Sequence, residues 1–164
     1  MPPPVGNTAI TSDDNNIIGD ANTVGGGTEN NVIGDANAAT GNRDTVIGNT
    51  ATATGNDATA IGTAAQATAN NTNAIGNGAI ASNTNANAIG TSADATGTDA
   101  IAIGSDAQAT GISATAIGDN ARATATDSIA QGTNSSAGGT ADISIGRNTA
   151  TGTGGLNTAV GSDI

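Results

Sequence analysis

The chain has 164 residues and a net charge of −11, with 3 basic residues against 14 acidic ones. It contains no His, Cys, Phe, Trp or Tyr, which removes the usual zinc ligands, cysteine nucleophiles, histidine bases and aromatic stacking platforms. An acidic chain of this kind is repelled by nucleic acid and by anionic membrane surfaces. No apolar run is long enough to cross a bilayer. We therefore expect no nucleic-acid partner, no cofactor and no membrane insertion by this segment.

The N-terminal end of the sequence differs from the remainder. It opens with MPPP, a rigid extended stretch, because proline fixes φ and removes a backbone donor. The residues that follow are polar and turn-forming. We predict an irregular N-terminal segment over residues 1–16 and a single repeat domain over residues 17–164.

A glycine recurs every fourteen residues along the repeat domain, and in all but one case an isoleucine precedes it. These glycines are Gly34, Gly48, Gly62, Gly76, Gly90, Gly104, Gly118, Gly132 and Gly146. The first step, from Gly19 to Gly34, and the last step, from Gly146 to Gly161, are fifteen residues long. In each, the extra residue falls in a glycine-rich stretch, where a turn can accommodate it. A fixed period indicates a repeat architecture, and this one is too short for a helix pair or a propeller blade.

Each unit contains two short alternating segments. We number the places of a unit by counting residues from its glycine, so that the third residue after Gly62, Ala65, is at place three. Places three and five are mostly Ala, and the place between them varies freely, as expected for an outward residue between two inward ones. Places ten and twelve are again mostly Ala, and place thirteen is Ile. Each unit is therefore predicted to be one coil of an all-β parallel β-solenoid, with two short strands per coil and a spacing of about 4.7–4.9 Å.

The inward places hold little beyond Ala, Ser, Thr and Gly, so we predict a narrow, weakly hydrophobic interior. Burying an Ala methyl contributes a small fraction of the roughly 1.5–3 kcal/mol of a buried Leu or Phe. If Ala points inward, the Ile of place thirteen points outward, and the exposed column predicts a subunit interface. The reverse arrangement stays open, because periodicity does not choose a face. The predicted interface residues are Ile33, Ile47, Ile61, Ile75, Ile89, Ile103, Ile117 and Ile145, interrupted only by Gln131.

The units at residues 57–69, 99–111 and 113–125 share the pattern Ala-x-Ala-Ile-Gly-x-x-Ala-x-Ala. Recurring in register over about residues 17–161, this pattern resembles the head repeats of YadA-like trimeric autotransporter adhesins. The resemblance implies a left-handed parallel β-roll that assembles as a parallel homotrimer. It also implies a cell-surface location, outer-membrane anchoring in the parent protein, and binding to extracellular matrix proteins or host cells.

We predict a structural and adhesive head segment that binds through an extended rigid face rather than through a pocket. A phage or virion fibre segment of the same fold is the alternative. The candidate ligand-facing residues are the variable outward ones at place four, Gln66, Ile80, Asp94, Gln108 and Arg122.

Three further functions are weighed against simpler explanations. A column of Thr and Ser at place six suggests ice binding, but Thr is also a good strand former that hydrogen-bonds its stacked neighbour. Asp57, Asp99 and Asp127 recur at place nine, where carboxylates could bind calcium, yet the spacing of known calcium rolls is missing. A catalytic carboxylate pair needs one specific separation and a pocket. We therefore expect no metal site and no enzymatic activity.

Overall fold

A computed structural model describes residues 6–9 and 14–163. These residues form 21 β-strands and no helix, so the described part of the chain has no helix that could span a membrane. The strands alternate along the chain between two sheets, and all pairings are parallel. The predicted all-β parallel β-solenoid with two short strands per coil is confirmed.

The strands are numbered along the chain and divide into a first sheet of ten and a second sheet of eleven. The first sheet contains β1 (Thr8–Ala9), β3 (Thr23–Val24), β5 (Ala38–Ala39), β7 (Thr52–Ala53), β9 (Gln66–Ala67), β11 (Ile80–Ala81), β13 (Asp94–Ala95), β15 (Gln108–Ala109), β17 (Arg122–Ala123) and β19 (Ser136–Ala137). The second sheet contains β2 (Asn16–Ile18), β4 (Asn31–Asp35), β6 (Thr45–Asn49), β8 (Thr59–Ile61), β10 (Asn73–Ile75), β12 (Asn87–Ile89), β14 (Ile101–Ile103), β16 (Thr115–Ile117), β18 (Ile129–Gln131), β20 (Ile143–Ile145) and β21 (Thr158–Val160).

Strand β1 lies within the N-terminal segment that the sequence analysis treats as irregular. It pairs in parallel with β3, so the first sheet begins one coil before the first clear repeat. Residues 1–5 and 10–13 of that segment lie outside the described residues. The division of the chain at residue 17 stays a prediction.

The inward face of each strand is the alanine face. The Ala residues at places three, five, ten and twelve are fully buried through the middle of the roll, as at Ala60 and Ala67. The Ile residues of place thirteen are half-buried or exposed. The orientation with Ala inside and Ile outside is therefore confirmed, and the reverse arrangement is excluded.

The interior is less uniform than predicted. Its largest apolar side chains are Val24, Val32 and Val46. Asparagines are also buried nearby, and Asn37 shows what they do: its Oδ1 accepts the Ala51 N–H, and its Nδ2 donates to the Gly48 carbonyl, both at 2.9 Å. These amides satisfy turn groups of the next coil that would otherwise be buried without a partner. The predicted interior of Ala, Ser, Thr and Gly is therefore wrong for the N-terminal coils.

Two carboxylates, Asp44 and Asp142, are fully buried at place ten in distant coils. Each accepts the N–H of the glycine three residues earlier and an N–H of the next coil. Burial raises the pKa of Asp44 more than its hydrogen bonds lower it. At Asp142 burial also acts to raise the pKa, but hydrogen bonds outweigh it, including one from the Asn157 side chain, so the pKa is lowered. Both side chains cap turns.

The backbone repeats every seven residues, twice as often as the sequence. From Ala36 to Asn148, every seventh residue has a positive φ, between 53° and 65°. More than half of these residues are Asn, Asp or Gly, which adopt this left-handed conformation most readily. Each coil therefore consists of two half-coils with similar backbone paths, one in each sheet. A side chain at place six corresponds to one at place thirteen.

The glycine that defines the fourteen-residue period lies where consecutive coils approach most closely. Gly90 has a φ of +138°, and a Cβ on it would collide with the carbonyl oxygen of Gly104 in the next coil. Neither the conformation nor the space admits a side chain. The sequence period is thus the signature of a backbone contact.

Replacing that glycine tests this contact. We expect Gly90→Ala to lower the free energy of unfolding by about 3 kcal/mol or more, because backbone atoms of the next coil must move. Gly78→Ala is the control: Gly78 also has a positive φ, +65°, but the nearest atom to its Cβ position is 3.9 Å away, so the cost is about 1–2 kcal/mol. Thermal unfolding monitored by circular dichroism measures the stability of both variants. Equal losses of stability in the two variants would contradict the backbone contact at Gly90.

Candidate functional site

The outer face of the second sheet carries a continuous column of side chains that we call the isoleucine column. Its members are Ile18, Ile33, Ile47, Ile61, Ile75, Ile89, Ile103, Ile117, Gln131, Ile145 and Val160. Each member is the register partner of the next one along the parallel sheet. Ile75, for example, lies between Ile61 and Ile89 in the stack. At the spacing of stacked strands, the column is roughly 50 Å long.

These apolar side chains remain accessible along the whole roll. Ile103 and Ile117 each keep 37% of their surface exposed, and Ile18 keeps 54%. Their neighbours in the stack shield only part of each side chain. The sequence analysis missed Ile18 and Val160, although each precedes a glycine at the end of the fourteen-residue series. The structure brings all eight predicted interface residues into this column, and their role in assembly stays a prediction.

A second outward column on the same sheet, at place eleven, changes character along the roll. Between Asn16 and Asn87 it holds Asn and Thr, and Asn73 Nδ2 donates to Asn87 Oδ1 at 2.8 Å. Its apolar members are Ile101, Ile129 and Ile143. The apolar surface is therefore one side chain wide in the N-terminal half of the roll and broader in the C-terminal half.

The five candidate ligand-facing residues form a column on the opposite sheet. Gln66, Ile80, Asp94, Gln108 and Arg122 lie on consecutive strands in register, and their side chains are exposed or half-buried. The alanine interior separates this column from the isoleucine column. The structure thus brings the five together on one face, and their part in ligand binding stays a prediction.

Asp94 is the member of that column with a buried polar atom. Its strand neighbours at the same place are Ile80 and Gln108. The Asp94 Oδ1 is covered and has no hydrogen-bond partner among the described residues. Burial of the carboxyl raises the pKa of Asp94, because it disfavours the charged form.

The acidic turns at place nine contact polar neighbours in adjacent coils. Asp57 forms an exposed ion pair with Arg43, with 2.5 Å between Oδ2 and Nη2, and this guanidinium lowers the pKa of Asp57. Asp99 accepts a hydrogen bond from Asn85 Nδ2 at 2.8 Å. Within residues 6–9 and 14–163, no group of three or more acidic side chains could hold a metal ion. The same part of the chain has no pocket.

The Thr and Ser column at place six is the half-coil counterpart of the isoleucine column. Thr68 and Ile75, for example, are seven residues apart and follow equivalent turns. The Thr54 hydroxyl donates to the Thr68 carbonyl at 3.1 Å, which is the neighbour contact expected of a structural Thr. At equivalent backbone positions, one sheet thus presents aliphatic side chains and the other presents hydroxyl groups.

A parallel β-solenoid with one apolar and one polar flank is a repeat scaffold that presents long surfaces. A sequence profile described as "YadA head domain repeat (2 copies)" matches more than half of the chain, at residues 39–65, 53–79, 95–121 and 123–149. The chain belongs to the YadA head domain family, and the resemblance predicted from its repeats is confirmed. No curated protein sequence matches it.

Heads of this family form homotrimers and bind external ligands. They belong to surface-exposed trimeric autotransporter adhesins, and the fold is a structural adhesin fold rather than a known enzyme family. The chain is accordingly related to the head of a trimeric autotransporter adhesin.

The covered oxygen of Asp94 generates a pH prediction. Because the pKa of Asp94 is raised in the folded state, the protonated side chain is more favourable to folding than the charged one. This contribution to the free energy of unfolding is complete below the unfolded-state pKa near 4, and it is lost as the pH rises through the folded-state pKa. We expect Asp94→Asn to be more stable than the wild type at pH 7, and the difference to shrink as the pH falls through the folded-state pKa of Asp94 toward about 4.

Thermal unfolding of both proteins between pH 3 and pH 7 measures this difference. Asp119→Asn, at an exposed turn, makes the same charge change and should leave the unfolding temperature nearly unchanged. An Asp94→Asn gain that persists undiminished in acid would contradict the explanation.

Proposed function

We propose that this chain is a head segment of a trimeric bacterial surface adhesin that attaches to an extracellular matrix protein or another cell-surface ligand. The observation that supports this best is the isoleucine column, which runs the length of the roll and remains exposed in the single chain. In this proposal, three copies pack with their isoleucine columns toward a common axis. The parent protein is anchored in the outer membrane by other segments.

The occupant of the isoleucine column is a second copy of the same chain. The side chains repeat once per coil, at about 4.7–4.9 Å. A partner that contacts each of them needs the same period, and another parallel stack of this kind has it. Closed association of three identical surfaces also leaves no open end for further growth.

The composition of the interior explains why such packing is needed. Most inward places hold Ala, and each contributes little apolar burial in comparison with the roughly 1.5–3 kcal/mol of a fully buried Ile or Leu. The column holds one Ile in each of the middle coils, a much larger aliphatic side chain than the Ala of the interior, and so gains more from removal from water. Assembly therefore supplies the apolar burial that the interior lacks.

The opposite face remains available for ligand when the isoleucine columns meet at the axis. It presents the place-four column, in which Arg122 is a fully outward cation on an otherwise acidic protein. Three such faces on one trimer bind a repetitive or dense surface with avidity, without a deep site. An extended wall fits the lack of pockets in the described residues.

Sedimentation tests the assembly. The wild type is expected to sediment at three times the chain mass of 15.3 kDa. Ile75→Asp combined with Ile103→Asp should abolish the trimer, because burying unpaired carboxylates at the axis is strongly unfavourable. The control is Thr68→Asp combined with Thr96→Asp, which places the same charges at the half-coil counterparts on the other sheet and should leave the trimer intact. A monomeric wild type, or loss of the trimer in both variants, would contradict the proposal.

Ligand binding is tested on surfaces coated separately with collagen, laminin and fibronectin. We expect the trimer to bind at least one coating about 100-fold more tightly than the monomeric Ile75→Asp, Ile103→Asp variant. Gln66→Glu combined with Gln108→Glu should weaken that binding about tenfold, because the two carboxylates add negative charge to the place-four face, where Gln108 lies next to the cation Arg122.

The charge-matched control is Thr63→Glu combined with Ser105→Glu, at exposed turns of the same two coils. It should bind like the wild type. No binding to any coating, or equal weakening by both pairs of substitutions, would argue against the proposed ligand face.

A further inference from the structure

The isoleucine column is too regular to define how the subunits of a trimer align along its axis. Successive members are separated by one coil and most are identical. If one subunit slips by one coil, each Ile meets the Ile of the neighbouring coil, and only the terminal contact is lost. A repeat of this kind needs some departure from regularity to specify one register.

Gln131 is the residue that departs from the regularity of the isoleucine column. Among the described residues, it is the polar member of an otherwise aliphatic column, and it lies between Ile117 and Ile145 in the stack. Ile129, two residues earlier, shares its outward face. The Gln131 side chain is exposed and makes no hydrogen bond to the described residues of its own chain. Its outward neighbours are therefore aliphatic on three sides.

We propose that Gln131 sets the axial register of the trimer; this inference rests on the proposed assembly. In register, the three Gln131 carboxamides meet at one height around the axis. Each carries both a donor and an acceptor, so the three can hydrogen-bond one another. In a slipped trimer, each amide is buried against Ile without a partner, which is unfavourable. A single polar residue specifies register in the apolar seam of a coiled coil in the same way.

The position of Gln131 along the column also distinguishes the two ends. It is the ninth of the eleven members, so reversing one chain would place Gln131 opposite Ile47 rather than opposite another Gln131. The same side chain therefore disfavours antiparallel packing of two columns. A glutamine at the middle of the column would not make this distinction.

The test moves the amide by four coils, so that a slip that matched it to the wild-type amide would lose four contacts of the column, and asks which chains assemble together. The displaced variant combines Ile75→Gln with Gln131→Ile, both at outward positions of the second sheet. Wild-type chains labelled with ¹⁵N are mixed with an equal amount of unlabelled variant, unfolded, refolded together and analysed by native mass spectrometry. We expect each chain alone to form homotrimers, and mixed trimers to fall about tenfold below the statistical proportion, because each contains unmatched buried amides.

The control variant combines Arg122→Ser with Ser136→Arg, which moves a side chain by one coil on the opposite sheet. It should mix statistically with the wild type. Statistical mixing of the displaced variant, or its failure to trimerise alone, would overturn the role of Gln131 while leaving the proposed trimer standing. A wild type that refolds only as a monomer would overturn both.

Discussion

The close packing of the two sheets within each coil is the constraint on which the structure depends. Only a small side chain fits at most inward places, and Ala fills them through the middle of the roll. The backbones of successive coils also meet at the turns, where Gly90 leaves no room for a side chain. A scaffold built this tightly gains much from backbone hydrogen bonding and little from apolar burial. Its large aliphatic side chains can lie only outside, and they form a surface that favours association.

The seven-residue period of the backbone makes the two outer faces nearly equivalent in geometry. Thr68 and Ile75 follow equivalent turns, yet one sheet carries hydroxyls at this place and the other carries isoleucines. Folding of the single coil does not require this difference, because both places point away from the interior. The packing within the roll therefore does not account for the difference. One face suits a dry contact with another chain, and the other suits water and a polar ligand.

Much of the fold can be predicted from the sequence because its two main signals have a direct physical cause. The glycine series marks a backbone contact, and the Ala alternation marks the inward face. The seven-residue turn period was missed, since its positions hold residues as different as Arg43, Ala64 and Asn71. The buried Asn37 was missed because an amide at an inward place is acceptable only when turn groups of the next coil bind it. Side-chain accessibility, which periodicity cannot supply, decided between an inner and an outer isoleucine column.

Regular repetition and molecular specificity make opposite demands on such a chain. Identical coils stack well, but each identical coil presents the same surface, so no position along the roll is distinguished from the next. Information about position must come from residues that break the pattern. Asp94 keeps a covered carboxyl oxygen without a partner in the described part of the chain, which stacking does not require. A local departure of this kind, which does not favour folding, is where a functional demand on the surface is expected.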